Sequence, residues 1–278
     1  MWLRSNFAFF SWLSIAISIV VLALLLYDIV SSGWHGLNWT FLTSPSSYRP
    51  SKAGIDAAIV GTMIIMVIVA VVTFPLGVGA GIFLEEFSED NWLTRLIEIN
   101  INNLAGVPSI IYGMLGLFVF ARLLEPLTGG KSLISGGLTL GLLVLPVIIV
   151  ATREALRAVP DSLRHAGLAL GATKWQVVWS QILPEAFPGI LTGTILALSR
   201  AIGETAPLLV VGAKVIVPLP RNLQDSFTVL PIQIFNWVGE PKQEFHDLAA
   251  SAIIVLLVLL LVMNFSAVVL RNKFQTKH

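Results

Sequence analysis

Apolar and polar positions along this chain fall into long blocks rather than the short alternations of a soluble core. Charge-free apolar segments cover 5–27, 57–84, 99–121, 132–152 and 248–270, and a sixth, 186–213, carries only Arg200 and Glu204. Each can form a helix of about 20 residues or more, enough to cross roughly 30 Å of hydrocarbon while pairing its own backbone groups. The pattern predicts an all-α, polytopic membrane bundle of six transmembrane helices. Residues 1–54 read as the first of these with an extracytoplasmic link, and 55–278 as the core.

Composition strengthens that reading: 56% of residues are hydrophobic and 12% charged, against about 25% charged in a soluble domain. The first segment has the flank of a signal peptide, but its apolar run is too long and lacks a small-x-small exit, so it reads as a retained span. There is no cysteine, hence no disulfide framework or thiolate chemistry. The histidines, His35, His165, His246 and His278, lack ligand-like spacing, and no metal is expected. A net charge of +1 gives no footprint for nucleic acid.

Orientation follows from lysine and arginine. With both termini cytoplasmic, the inner side holds Arg4, Arg95, Arg153, Arg157, Arg164, Lys174, Arg271, Lys273 and Lys277. The outer side holds Arg49, Lys52, Arg122, Lys131, Lys214, Arg221 and Lys242. The small excess, and its concentration in one connection and the C-terminal tail, favour that placement.

The connection 153–185 is patterned. Pro160 suits a first helical turn, Asp161 adds negative charge there, and Leu163, Leu168 and Leu170 alternate with Arg164 and His165. Gly171 can end this element, and Thr173 with Gln176 forms a candidate capping box for a second short helix bearing Trp175 and Trp179. Pro184 and Pro188 are expected to mark the turn into the fifth span. Two short helices in one loop suit either a docking element for a soluble partner or a hairpin packed beneath the bundle.

Arg200 and Glu204 lie one helical turn apart, so on a continuous helix they share a face. An unpaired ion in hydrocarbon costs several kcal/mol, so the pair should face protein or water. A guanidinium offers a planar donor array suited to a tetrahedral oxyanion. A structural clasp between helices is the other reading. Gly203 and Pro207 bracket the pair, and Pro75, Pro108 and Pro146 punctuate other spans, either for close packing or as joints. The acidic run Glu85, Glu86, Glu89 and Asp90 reads as a solvated face or as a contact for a basic partner, and 214–247 either folds back on the membrane or meets another protein.

The stretch HAGLALGATKWQVVWSQILP, 165–184, resembles the cytoplasmic EAA loop of bacterial ABC importer permeases. Ala166, Gly171, Leu183 and Pro184 match that loop, while His165, Gly167 and Gln181 depart from its usual Glu, Ala and Ile. LSRAIGETAPLL, 198–209, closely resembles the signature of the PstA-type permeases of phosphate importers, as does TVLPIQIFNW, 228–237. The likeness extends over most of 55–270.

The resemblance implies an ABC-importer permease fold in the bacterial cytoplasmic (inner) membrane, pairing with a PstC-like permease. It also implies two copies of a PstB-like ATPase that uses ATP with Mg, a PstS-like binding protein, and inorganic phosphate as cargo. Asp161, Leu163, Arg164, His165, Ala166, Gly167 and Gly171 are then expected to couple to the ATPase, and Arg200, Glu204 and Thr205 to line the substrate path. No cofactor and no catalysis are expected in this chain. GGKS at 129–132 lacks the earlier glycine of a phosphate-binding loop, because Glu125 stands there. A permease for another oxyanion or small solute shares the loop and topology, and a carrier or structural subunit outside this family needs neither.

Overall fold

The computed structural model describes residues 2–275, and among these it contains helices and loops but no strand. Helix α1 is Trp2–Gly33, followed by the short α2, Trp39–Thr43. α3, Asp56–Ile82, closes in a wider π-type turn, Phe83–Phe87. α4 is Trp92–Leu104, and α5, Ser109–Phe118, ends in a second wide turn, Val119–Leu123. α6 is Glu125–Thr128, α7 Leu133–Arg157 and α8 Asp161–Ala169. α9, Lys174–Val177, passes through the wide turn Val178–Ile182 into α10, Leu183–Ile202. α11 is Ala206–Val211, α12 Leu230–Val238 and α13 Gln243–Gln275.

Among the described residues five helices are long and apolar enough to span a membrane: Phe9–Gly36, Asp56–Phe87, Leu133–Arg157, Lys174–Ile202 and Gln243–Lys273. The third predicted segment differs. It is a pair, Trp92–Leu104 and Ser109–Leu123, bent by 106°, and six spans result when that pair counts as one. Gly106 and Pro108 explain the bend. Proline lacks an N–H and disfavours helical backbone at Val107 before it, and Tyr112 Oη donates to the freed Leu104 carbonyl at 2.8 Å.

Small residues hold the bundle together. A Cβ on Gly77 or Gly81 of α3 would fall 2.7 Å from Ile148 or Thr152 of α7, and one on Gly193 of α10 would lie 2.4 Å from the Ala151 methyl. Backbones therefore approach closely, which favours association where lipid removes the hydrophobic drive. The central core joins Ile65, Val69, Leu133, Leu140, Leu208, Phe227, Val229 and Ile232. α1 lies along α13, with Ser251 Oγ donating to the Gly33 carbonyl at 2.8 Å.

Three further expectations change. The fifth span begins at Lys174, not 186, because α9 runs into α10 through a wide turn; Pro184 then occupies the opening turn of α10 and Pro188 lies inside it. At its other end the span stops at Ile202 and restarts at Ala206. The connection expected over 153–185 shrinks to 158–173 between long helices, with Arg153 and Arg157 inside α7 and Pro160 just before α8 rather than in its first turn. Segment 214–247 folds into the bundle: Phe227, Leu230 and Trp237 are buried, and Leu230 N donates to Thr62 Oγ1 at 2.9 Å. With its amide turned to satisfy both partners, Gln233 of α12 bridges the Val215 carbonyl and the Trp237 indole. The basic tail position Lys277 and His278 lie outside the described residues.

Candidate functional site

Two places concentrate polar chemistry. The first is the break between α10 and α11. Gly203 closes α10, with its N–H directed to the Arg200 and Ala201 carbonyls, and Thr205 precedes α11. Pro207 lies in the first turn of α11, where a missing N–H costs nothing. Arg200 and Glu204 thus do not share one continuous helix, although Arg200 Nε still faces Glu204 Oε1 at 3.4 Å. A charge-assisted bond is normally about 2.7–2.9 Å, so this pair is loose. The Arg200 side chain is 60% exposed and that of Glu204 17%. Thr205 Oγ1 lies 3.5 Å from the Gly203 carbonyl, at the outer limit of a hydrogen bond.

The far side of this break is fixed by α5. A Cβ on Gly113 would lie 2.7 Å from Pro207 Cα and 2.9 Å from its carbonyl oxygen, so α5 and α11 touch backbone to backbone. The near side is the last turn of α10, where the positive charge of Arg200 meets the negative end of the helix. Glu204 stays tied to that last turn, its N–H donating to the Ala201 carbonyl at 3.1 Å, and Thr205 is the first residue anchored to α11.

The second place is the α8 end. Arg164 Nη2 contacts Glu86 Oε1 at 2.7 Å and donates to the Leu156 carbonyl at 2.8 Å, while Nη1 reaches the Val159 carbonyl at 2.9 Å and Asp161 at 3.0 Å. Glu86 is 5% exposed. The hydrogen bond to Glu86 holds the Arg164 guanidinium above its usual pKa, and burial opposes this only in part. Arg164 therefore staples α8 to the ends of α3 and α7. Arg153, whose side chain is 6% exposed, meets Glu85 at 3.1 Å and Glu98 of α4, and Arg157 meets Glu85 at 2.8 Å. The Glu85 and Glu86 half of the acidic run is not a solvated face. A cavity of about 490 Å³ opens here, between Glu85, Glu86, Arg157, Arg164, His165 and Lys174.

The other residues marked on α8 divide by face. Leu163 packs against the cluster of Leu156, Val159, Val177 and Ile182. Gly167 is buried against Val177, whose methyl would stand 2.6 Å from an added Cβ. Asp161, His165 and Ala166 are exposed, as are Leu168 and Leu170. Gly171 turns the chain at φ +82° with open space around it. The capping box of Thr173 and Gln176 is formed.

Sequence reasoning took Glu85 and Glu86 as a solvated face or a partner contact and Arg153 as an orientation signal, and it did not pair them with each other, with Arg164 or with Glu98. The available signal was two span ends of opposite charge, Glu85 and Glu86 after one apolar segment and Arg153 and Arg157 after another. Among the described residues no group of three or more His, Asp or Glu is placed to hold a metal ion.

The pattern of the family described as "Binding-protein-dependent transport system inner membrane component" matches residues 77–276. The chain is 39% identical to the probable ABC transporter permease protein YqgI of Bacillus subtilis over 70% of its length, spanning 65% of that relative. It is 31% identical to the phosphate transport system permease protein PstA 1 of Mycobacterium tuberculosis, over 94% of this chain and 86% of that one. PstA of Yersinia pestis is 31% identical over 90% and 83%. Among solved structures, an inward-facing form of the MetNI methionine ABC transporter matches with TM-score 0.62 at 20% identity, covering 77% of this chain and 94% of that one. A bacterial ABC transporter for alginate import matches with TM-score 0.57 at 14% identity over 94% and 98%. These two show a shared fold. From the match over most of its length and the close likeness to full-length relatives, the chain belongs to the binding-protein-dependent transport system inner membrane components and, within them, to the PstA-type phosphate transport system permeases.

Proposed function

We propose that this chain is the permease subunit of an ATP-driven importer of inorganic phosphate. It supplies half of the translocation path, works beside a PstC-like permease, receives phosphate from a PstS-like binding protein, and is driven by two copies of a PstB-like ATPase that hydrolyses ATP with Mg. Residues 1–54 serve as the first helix and link, 55–278 as the core, and the α8 end, with both termini, faces the cytoplasm. The observation that carries this reading is the guanidinium of Arg200, exposed on an apolar spanning helix and only loosely held by Glu204. Such a group does not face lipid, since the cost is several kcal/mol. A water-filled path between two permeases removes that cost and gives an oxyanion a planar, fixed-charge partner. Loose pairing leaves donors for the cargo and permits release. Thr205, on the same break, adds a hydroxyl to the path.

At the other end, the exposed flank of α8 offers Asp161, His165, Ala166, Leu168 and Leu170 to the ATPase. Leu163, Arg164 and Gly167 fix that flank from beneath.

The test is ATP-dependent uptake of phosphate, against sulfate, in vesicles holding the assembled complex. Arg200→Ala should reduce phosphate uptake at least about a hundredfold, the scale of losing a group that stabilises transferred charge. Arg200→Lys should recover little. If the pair were only a clasp, Arg200→Ala with Glu204→Ala would restore transport, because no unpaired ion remains. An assembled double variant with near-parental uptake overturns the path assignment, and sulfate carried in place of phosphate overturns the cargo.

A further inference from the structure

Six charged side chains on four helices form two ion-paired groups at the α8 end, joined through the adjacent residues Glu85 and Glu86. Arg164 reaches from α8 to Glu86, and Arg153 and Arg157 reach from α7 to Glu85, in the turn that closes α3. Arg153 also meets Glu98 on α4. Because Glu85 and Glu86 are neighbours in one turn, α8 and α4 are tied through adjacent carboxylates.

The connection continues toward the break. The carbonyl of Leu104, which ends α4, accepts from Tyr112 Oη of α5. One residue on, Gly113 presses against Pro207 in the first turn of α11. The two sides of the break between α10 and α11 are thus attached differently. Arg200 and Glu204, the latter donating its N–H to the Ala201 carbonyl at 3.1 Å, connect to α8 through the helical run Lys174–Ile202, and Thr205, whose carbonyl accepts from Leu209 N, connects to it through α11, α5, α4 and the ionic set.

We infer that the chain of contacts Arg164–Glu86 and Glu85–Arg153–Glu98 carries displacement of α8 to α4 and α5, and so moves the Thr205 side of the break relative to Arg200 and Glu204. This rests on the functional reading above and makes Arg153 and Glu98 positioning residues for transport, remote from the cargo. Charge at these positions is a weak source of stability, because a buried ion pair is often matched by apolar residues of similar volume. Guanidinium forks are directional, however, and hold two carboxylates in a set geometry while apolar contacts slide.

Glu98→Ala removes the acceptor and so cuts the α4 branch, while Arg153 stays paired with Glu85. The triple variant R153M/E85Q/E98Q removes the branch without leaving Arg153 buried and unpaired. Each is assembled with the ATPase, and phosphate carried per ATP hydrolysed is measured in vesicles. The parent has no cysteine, so spin labels at Asn102→Cys with Gln243→Cys, and at Ser162→Cys with Gln243→Cys, report α4 and α8 separately. Both pairs should change distance when the ATPase is trapped with vanadate in the parent. In the two variants ATPase binding and the α8 change should persist, the α4 change should be lost, and the transport ratio should fall at least about fivefold, the lower bound of a typical coupling factor. A parental ratio and a parental α4 change in both variants overturn the inference, as does a parent whose α4 label stays still on trapping. A parent that binds the ATPase but carries no phosphate overturns the functional reading instead, while the label distances still decide the ionic route.

Discussion

Gly171 and Gly167 stand four residues apart and are glycine for different reasons. Gly171 holds φ +82° with nothing within 4 Å of an added Cβ, so its requirement is conformational. Gly167 lies in α8 with Val177 in the way, so its requirement is space. Gly171→Ala should destabilise the α8–α9 corner by about 1–2 kcal/mol, the cost of a left-handed backbone with a Cβ, and Gly171→Asn should cost less because asparagine tolerates that region. Gly167→Ala should instead be decided by whether Val177 yields. Hydrogen exchange of amides 161–176 checks this, and equal effects of Ala and Asn at 171 would count against it. Local chemistry of this kind was legible in the sequence: Gly171 as a stop and Thr173 with Gln176 as a capping box are both formed. The bond of Arg164 to Glu86 was not, because no local pattern pairs residues 78 apart.

At the scale of elements, the two broken spans carry the argument. Pro108 and Gly106 announce one break, and Gly203 with Pro207 the other, yet the sequence gives each as a continuous apolar block because hydropathy does not sense direction. What decides the geometry is the mutual packing of the second halves, α5 and α11, across Gly113 and Pro207. Gly113→Ala must push backbone, not a flexible side-chain tip, so α11 shifts and Thr205 at its start shifts with it. Phosphate uptake should then fall about tenfold or more, the scale expected when a positioned group moves by about 1 Å. Gly79→Ala in α3 is the control, since its Cβ would meet nothing within 4 Å. Unchanged uptake in an assembled Gly113→Ala complex would show that the α5–α11 contact does not set the break. The same reasoning explains segment 214–247. Its aromatic residues were visible, but only the fold shows Phe227 and Trp237 filling the core.

For the whole molecule the question is which end faces the cytoplasm, and the fold shows which lysines and arginines of the charge count share an end. Arg95, Arg153, Arg157, Arg164 and Lys174 gather at the α8 end. The opposite end is built from the loops before α7 and after α11: Leu133 N donates to the Asp225 carbonyl, and Lys131 lies over Gly212. Many arginines at the α8 end are paired with carboxylates, but the orientation bias follows lysine and arginine rather than net charge, so pairing does not cancel it. The α8 end should therefore be inside. Single cysteines in a chain that has none decide this directly. Asn222→Cys, exposed at the far end, should react with a membrane-impermeant maleimide in intact spheroplasts. Ser162→Cys on α8 and Glu89→Cys beyond α3, both exposed, should react only after permeabilisation. Using two inner positions separates sidedness from shielding by a docked ATPase, because α8 is the expected docking flank and Glu89 is not. Labelling of Glu89→Cys in intact spheroplasts, with Asn222→Cys protected, would invert the molecule and place α8 where no ATPase could reach it.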